Sequence, residues 1–289
     1  MQKKRLDVLM EERNLAHSRS LAQRLIMAGS VRVNSQVVLK PGTKFDPGDI
    51  IEISELPRFV SRGGEKLLAA LQAFNLTSLE DRVCVDVGAS TGGFTDCLLQ
   101  HGAKKVFAVD VGYGVLDWKM RNDPRVVVME KHNARYITGF DEPINMVVID
   151  ASFISLKTIL PVVRLWLSFN QSEVIALIKP QFEAGRRETA RGSGVIRDPE
   201  IHHAVLRQVL EFSQKDGYTV TGLIKSPLTG PKGNIEFLAH LVYPGGKPGD
   251  LEGLIQALQL LPVHAGEQPV EQPEQPEQPE QPEPEGKLK

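Results

Sequence analysis

Val83-Cys84-Val85-Asp86-Val87-Gly88-Ala89-Ser90-Thr91-Gly92-Gly93-Phe94-Thr95-Asp96-Cys97-Leu98-Leu99 is the stretch whose reading decides the fold. Its first five residues are an apolar strand with an acid near the end, a glycine-rich turn follows, and Phe94 begins a helix. A strand, a tight turn and a helix N-terminus together turn backbone N–H groups toward an anionic group. The turn lacks both the Gly-x-Gly-x-x-Gly spacing of a dinucleotide site and the Gly-Lys-Ser/Thr of a phosphate loop. Two readings remain: a site for S-adenosylmethionine, which has a ribose and a carboxylate but no phosphate, or a plain strand–helix turn that binds nothing. Gly88, Ala89, Ser90, Gly92, Gly93 and Phe94 are the loop candidates, and Asp86 is placed to meet an ammonium group. A second apolar run ends at Asp110, about 20 residues past the loop, where an acid can take both hydroxyls of a ribose.

Outward from the loop, strands and helices alternate. Strand candidates are Val83–Val87, Lys105–Asp110, Arg125–Met129, Met146–Asp150, Glu173–Ile178, Thr219–Lys225 and Glu236–Val242. Such alternation predicts an α/β domain over about 65–243, with a mostly parallel sheet and helices on both faces. In front, Leu6, Leu9 and Met10, then Leu21, Leu25 and Ile26, have helical spacing, with Ser18 as an N-cap and Gly29 as a stop. Short runs at Val31–Val33 and Ile50–Ile53 follow, so 1–55 reads as a small α+β module and 56–64 as its connector. From about 244 the chain reads as a tail in which Leu254–Leu261 docks or stays loose, and Glu-Gln-Pro repeats then deny both a helix and a core.

Asp150 and Lys179 end successive apolar strands, Val147-Val148-Ile149 and Ile175-Ala176-Leu177-Ile178. Strand C-termini of a parallel sheet face the ligand crevice, and two ionisable groups there are hard to explain by packing. Lys66, after Ser61-Arg62-Gly63-Gly64, and Glu236, in Gly233-Asn234-Ile235-Glu236-Phe237, would each alone be read as surface charges. The ordered set Lys66, Asp150, Lys179, Glu236 resembles the lysine–aspartate–lysine–glutamate tetrad of FtsJ-like ribose 2'-O-methyltransferases. The strings Val60 to Leu67, Asp86 to Phe94, Ile178 to Glu183 and Gly233 to Phe237 resemble, more narrowly, the TlyA family. Ser18-Arg19-Ser20, Leu25-Ile26, Gly29-Ser30-Val31, Val33-Asn34 and Lys40-Pro41 resemble an S4 RNA-binding domain.

The resemblance covers about 1–243. It implies a Rossmann-like, S-adenosylmethionine-dependent methyltransferase acting on a ribose 2'-hydroxyl of ribosomal RNA, free or in ribosomal subunits. A ribose hydroxyl is a poor nucleophile, so its attack on a sulfonium methyl needs the proton removed or the oxyanion stabilised. Lys179 is the candidate base, Lys66 a second positive charge, Asp150 the group that orients Lys179, and Glu236 the group that positions Lys66 or the ribose. Lys4, Arg5, Arg19, Arg24, Arg62, Arg186 and Arg187 are the candidate RNA contacts, where cations would hold phosphates without reading sequence. Ordinary solvated charge is the plainer account of each. The same division predicts that the catalytic part binds its cofactor without the front module.

Composition agrees with this. Of 289 residues 41% are hydrophobic, enough for a sizeable core. The net charge of -2 hides an asymmetry: 267–289 carries seven glutamates against two lysines, which leaves the remainder mildly basic. Cys84 and Cys97 lie in apolar runs, where buried reduced thiols are expected. His202 and His203 have no ligand-spaced acid or cysteine, so no metal site is expected. No leader pattern opens the sequence and no apolar run reaches ~20 residues, so a cytoplasmic protein that does not engage membranes is expected. The alternatives are a membrane-active haemolysin-like protein, an RNA-binding assembly factor without catalysis, and a base methyltransferase. Two lysines in place of an Asn-Pro-Pro-Tyr-type motif favour the hydroxyl over a base.

Overall fold

The computed structural model describes residues 3–53, 57–168, 171–185, 194–230 and 232–260. The tail from 261 onward, including the Glu-Gln-Pro repeats, lies outside them.

The front module is built on two short helices, α1 (Leu6–Glu12) and α2 (Arg19–Met27). Leu6 and Met10 of the first and Ala22, Leu25 and Ile26 of the second close over Val31 and Val33. Ser18 caps α2, its Oγ accepting from Leu21 N at 3.2 Å. The strands are brief. β1 (Lys4–Arg5) pairs with β4 (Lys44–Phe45), and β2 (Val31–Val33) lies between β3 (Gln36–Val37) and β5 (Ile51–Ile53), antiparallel to both. The two-residue pairs carry no sequence signal of their own; the fold of the flanking helices brings them together.

The larger part centres on a sheet of β6 (Val83–Val87), β7 (Lys105–Asp110), β8 (Val126–Glu130), β9 (Met146–Ile149), β10 (Ser172–Ile178), β11 (Thr219–Lys225) and β12 (Phe237–Tyr243). Their spatial order is β11-β12-β10-β9-β6-β7-β8, with β12 antiparallel to both neighbours and the remaining pairs parallel. The order reverses between β6 and β9, and a ligand crevice opens at such a reversal, outside the strand C-termini. The glycine-rich loop leaves β6 there and Asp150 leaves β9 beside it.

All five residues of β6 are buried, as a strand covered on both faces requires. Val83, Val85 and Val87 face one layer with α6 (Leu156–Val163) and α8 (Pro199–Lys215). Cys84 faces the other, with α3 (Gly63–Ala73) and α4 (Gly93–Gln100). Cys84 and Cys97 are free and buried, and burial pushes the Cys84 thiol up to about 12.

Two boundaries differ from the sequence expectation. Helix α3 begins at Gly63, inside the expected connector 56–64, so the connector is shorter and Lys66 sits in the first turn. The fold also continues past Tyr243. Helix α9 (Leu251–Gln256) buries Ile255, and Leu251, Leu254, Leu258 and Leu260 rest on the same apolar layer as α8.

Candidate active site

The loop after β6 is anchored by Gly88 N and Ala89 N, which both donate to Val109 O on β7, at 2.9 and 3.1 Å. Gly88 has φ +85, and a Cβ there would lie 2.7 Å from Asp150 O. Glycine is therefore required both for the backbone angle and for the approach of the β9 exit. Asp110 ends β7, and its two oxygens accept from Ser90 N at 2.8 Å and Gly112 N at 2.6 Å. Loop and carboxylate are thus fixed to each other before any ligand arrives.

Two cavities meet at this crevice. One of about 510 Å³ is lined by Gly88, Ser90, Asp110, Asp150, Ser152 and Phe153, among others. The second, of about 250 Å³, is lined by Arg62, Lys66, Ala89, Ser90, Gly93, Phe94, Asp150 and Thr229, among others. Ser90 and Asp150 belong to both. The loop candidates therefore divide: Gly88, Ser90 and Asp110 face the larger cavity, while Ala89, Ser90, Gly93 and Phe94 face the smaller. Gly92 and Asp86 line neither.

Asp86 lies beneath the loop. It is fully buried, and its Oδ2 accepts from Thr95 Oγ1 at 2.6 Å. Its Oδ1 is buried without a hydrogen-bond partner. Burial, opposed by the Thr95 bond and reinforced by the charges of Asp150 and Asp110, pushes the carboxyl up to about 7. Asp110 in the larger cavity, joined by Asp86 beneath the loop when ionised, favours a cationic ligand over a phosphate. An amino acid with a sulfonium and an ammonium group fits this set.

The four chemistry-bearing residues form two ion pairs. Lys179 Nζ lies 2.5 Å from Asp150 Oδ1 and 3.0 Å from Ser152 Oγ. Lys66 Nζ lies 2.6 Å from Glu236 Oε2, and both side chains are largely buried. Gln181 Nε2 reaches Glu236 Oε1 at 3.4 Å. Lys66 and Asp150 line the same cavity, so both pairs border one space.

The expected RNA contacts fare unevenly. Arg62 is exposed at the smaller cavity. Lys4 pairs with Glu12 at 2.8 Å. Arg5 and Arg19 are tied to the buried carboxylate of Asp7, at 2.8 and 3.1 Å, and Arg24 is paired with Asp117 of the larger part. These three guanidiniums therefore hold protein carboxylates in this structure. Arg186 and Arg187 lie outside the described residues. His202 is buried, its Nε2 3.2 Å from Ile196 O, which makes it part of the core.

Several residues escaped the sequence reading. Ser152 supports Lys179. Glu183, buried at the end of the short helix α7 (Pro180–Glu183), accepts from Ser155 Oγ at 2.6 Å and Leu156 N at 2.7 Å. It thereby ties the segment after Lys179 to the start of α6. Asn234 accepts from Ile196 N at 2.9 Å and donates to Gly194 O at 3.0 Å, holding the chain just before Glu236. Position just after Lys179 or before Glu236 was the available clue; partners 27 to 40 residues away carry no sequence signal.

Comparison with known proteins bears on the whole arrangement. The model of the FtsJ-like methyltransferase family matches residues 59–243, and that of the S4 domain matches residues 4–51. The Bacillus subtilis relative YqxC, named as an rRNA methyltransferase, is 51% identical over 84% of this chain and 87% of its own length. Hemolysin A of Brachyspira hyodysenteriae is 44% identical, over 82% of this chain and 99% of its own. The 16S/23S rRNA (cytidine-2'-O)-methyltransferase TlyA of Mycobacterium tuberculosis is 42% identical, over 82% of this chain and 89% of its own. A solved structure from Streptococcus thermophilus, named as a hemolysin, has a TM-score of 0.68 at 45% identity and covers 89% of this chain and 96% of its own.

Proposed function

The chain belongs to the FtsJ-like methyltransferase family, in the TlyA group that carries an S4 domain in front, and from that premise we propose that it methylates a ribose 2'-hydroxyl of ribosomal RNA, using S-adenosylmethionine, in the cytoplasm. The observation that carries this reading is the shared wall. Asp150 borders both cavities, and Lys179 is bonded to it. A methyl donor in the larger cavity and a hydroxyl in the smaller would meet at that carboxylate.

When bound, S-adenosylmethionine supplies a methyl group on a positively charged sulfur. Gly88, Ser90 and Asp110, which line the larger cavity, would hold it there. The protein's own residues do the rest. Lys179, oriented by Asp150 and Ser152, would take the hydroxyl proton as the oxygen attacks, acting as the neutral amine after its own ammonium proton has passed to solvent. Lys66, held by Glu236, adds positive charge where negative charge builds on that oxygen. Arg62 at the cavity mouth is placed to meet the adjoining phosphate. Phe153, 90% exposed beside the site, offers a ring face of the kind on which unstacked bases rest.

Membrane action is suggested by the names of one relative and one solved structure; among the described residues no helix is long and apolar enough to cross a membrane. The test is direct. Protein, S-adenosylmethionine and undermodified ribosomal subunits are incubated and 2'-O-methyl sites are mapped by mass spectrometry. Wild type is expected to add a methyl at a ribose, and Lys179→Ala to lose at least ~100-fold in turnover, the low end for a general base. Near-normal turnover in the variant, or a methyl on a base, refutes the reading.

A further inference from the structure

Helix α2 of the front module reaches the cofactor loop through one short segment, 116–121, which includes helix α5 (Trp118–Arg121). Arg24 of α2 forms an ion pair with Asp117. The Asp117 side chain is 5% exposed, whereas that of Arg24 is 37% exposed. Asp117 caps α5, its Oδ1 accepting from Lys119 N at 2.8 Å. Its backbone N–H donates to Thr91 O, in the loop itself, at 3.1 Å. Leu116 and Met120 are buried on either side of it, against Gly92. Gly92 has φ +94, and a Cβ there would lie 2.9 Å from Leu116 Cδ1 and 2.8 Å from Met120 Cγ. This segment therefore backs the loop from outside.

A helix of four residues has little stability of its own. What fixes it is burial of Leu116 and Met120, the bond to Thr91, the ion pairs of Lys119 with Asp96 and of Arg121 with Glu130, and the charge supplied by Arg24. Without Arg24, a nearly buried carboxylate would lose its ion-pair partner, and removal of one partner from such a pair is strongly unfavourable. Relief would come if the segment swung toward water, a movement that would break the Thr91 bond and loosen the contact with Gly92.

We propose that Asp117 is a positioning residue through which the docked front module sets the shape of the cofactor loop. Cofactor affinity in the whole chain then depends on Arg24, a residue of the RNA-binding module that lines neither cavity of the site. Coupling of this kind is reciprocal, so a filled loop also tightens docking of the front module. Arg24 faces a groove of about 710 Å³ between the two parts, which shares Ser61, Arg62 and Thr91 with the smaller cavity. RNA phosphates entering that groove would meet the same guanidinium. The inference rests on reading the loop as a cofactor site, and it runs against the expectation that the catalytic part binds its cofactor unaided.

Calorimetric titration of S-adenosylmethionine into the full-length protein, without RNA, tests it. Arg24→Ala and Asp117→Asn are compared with wild type, with their double variant and with Arg24→Lys; thermal melting checks that each is folded. Asparagine keeps the cap on α5 and removes only the charge. Each single change is expected to weaken binding at least about fivefold, the low end for coupled sites. The double variant is expected to bind no worse than the weaker single one, because both remove the same pair. Arg24→Lys, which keeps the charge, is expected to recover most of the affinity. Wild-type affinity in folded Arg24→Ala overturns the proposal, as do losses that add in the double variant. Should Asp117→Asn fail to fold, Arg24→Ala and Arg24→Lys decide alone. Failure of wild type to bind S-adenosylmethionine at all sinks the reading of the loop, and the proposal with it.

Discussion

Replacing Asp86 by asparagine isolates the charge of one buried carboxyl. The side chain is fully buried, with one oxygen on Thr95 and the other unpartnered. Its folded-state pKa is raised to about 7, against roughly 3.9 in an unfolded chain. Between those pH values the folded protein keeps a proton that the unfolded chain has released. Stability therefore falls as pH climbs from about 4 to about 7, and is level above. Three pKa units at about 1.4 kcal/mol each give a cost on the order of 4 kcal/mol at pH 8. Asparagine has nearly the same shape, accepts from Thr95 and does not ionise. Asp86→Asn should thus be more stable than wild type at pH 8, by about 2–4 kcal/mol, with the gap closing toward pH 4. Urea unfolding of both proteins in parallel from pH 4.5 to 8.5 measures this, since other titrating groups cancel in the difference. Saturating S-adenosylmethionine should flatten the wild-type slope if its ammonium group meets this carboxylate. A stability difference that does not change with pH refutes the argument.

Asp110→Asn swaps one acceptor for a donor facing Ser90 N or Gly112 N, and should weaken S-adenosylmethionine by about 1–3 kcal/mol; calorimetry showing unchanged affinity would remove Asp110 from the site. Glu183→Ala leaves Leu156 N and the Ser155 hydroxyl without their acceptor, and should destabilise the fold by about 1–3 kcal/mol, read as a lower urea midpoint. Asp7 is held well below the usual carboxylate range by Arg5 first and then by Gln23 and Arg19. Its contribution is complete above about pH 4, the unfolded value, and is lost as pH falls through the lower folded value. Asp7→Asn should therefore be less stable than wild type at pH 6, with the gap narrowing toward pH 2; a gap that stays constant by circular dichroism counts against the network.

The large sheet was readable because its strands are nearly continuous apolar runs; Val83–Val87, Lys105–Asp110 and Thr219–Lys225 have the expected limits. The loop was readable because a strand, glycines and a helix start follow one another without interruption. Other features depend on tertiary contact. The start of α3 was missed because glycine is a poor helix former, so Gly63 and Gly64 read as connector; burial of Leu67 and Leu71 carries the helix back through the pair. Arg5 and Arg19 read as free cations because no spacing rule reveals that Asp7, between them, is buried. The partner of Lys66 lies 170 positions away, so Glu236 could be named for it only through the resemblance to the tetrad, not from either local sequence.

Because Ser90 and Asp150 belong to both cavities, the two spaces are neighbouring rooms with a common wall. A molecule that joins a methionine-like adenosine part to a ribonucleoside part by a linker of a few atoms could occupy both at once. Binding of its second half would be intramolecular, at the millimolar effective concentration of a short tether, so its affinity would exceed that of either half by orders of magnitude. The wall that sets the methyl transfer distance also fixes the linker length for an inhibitor.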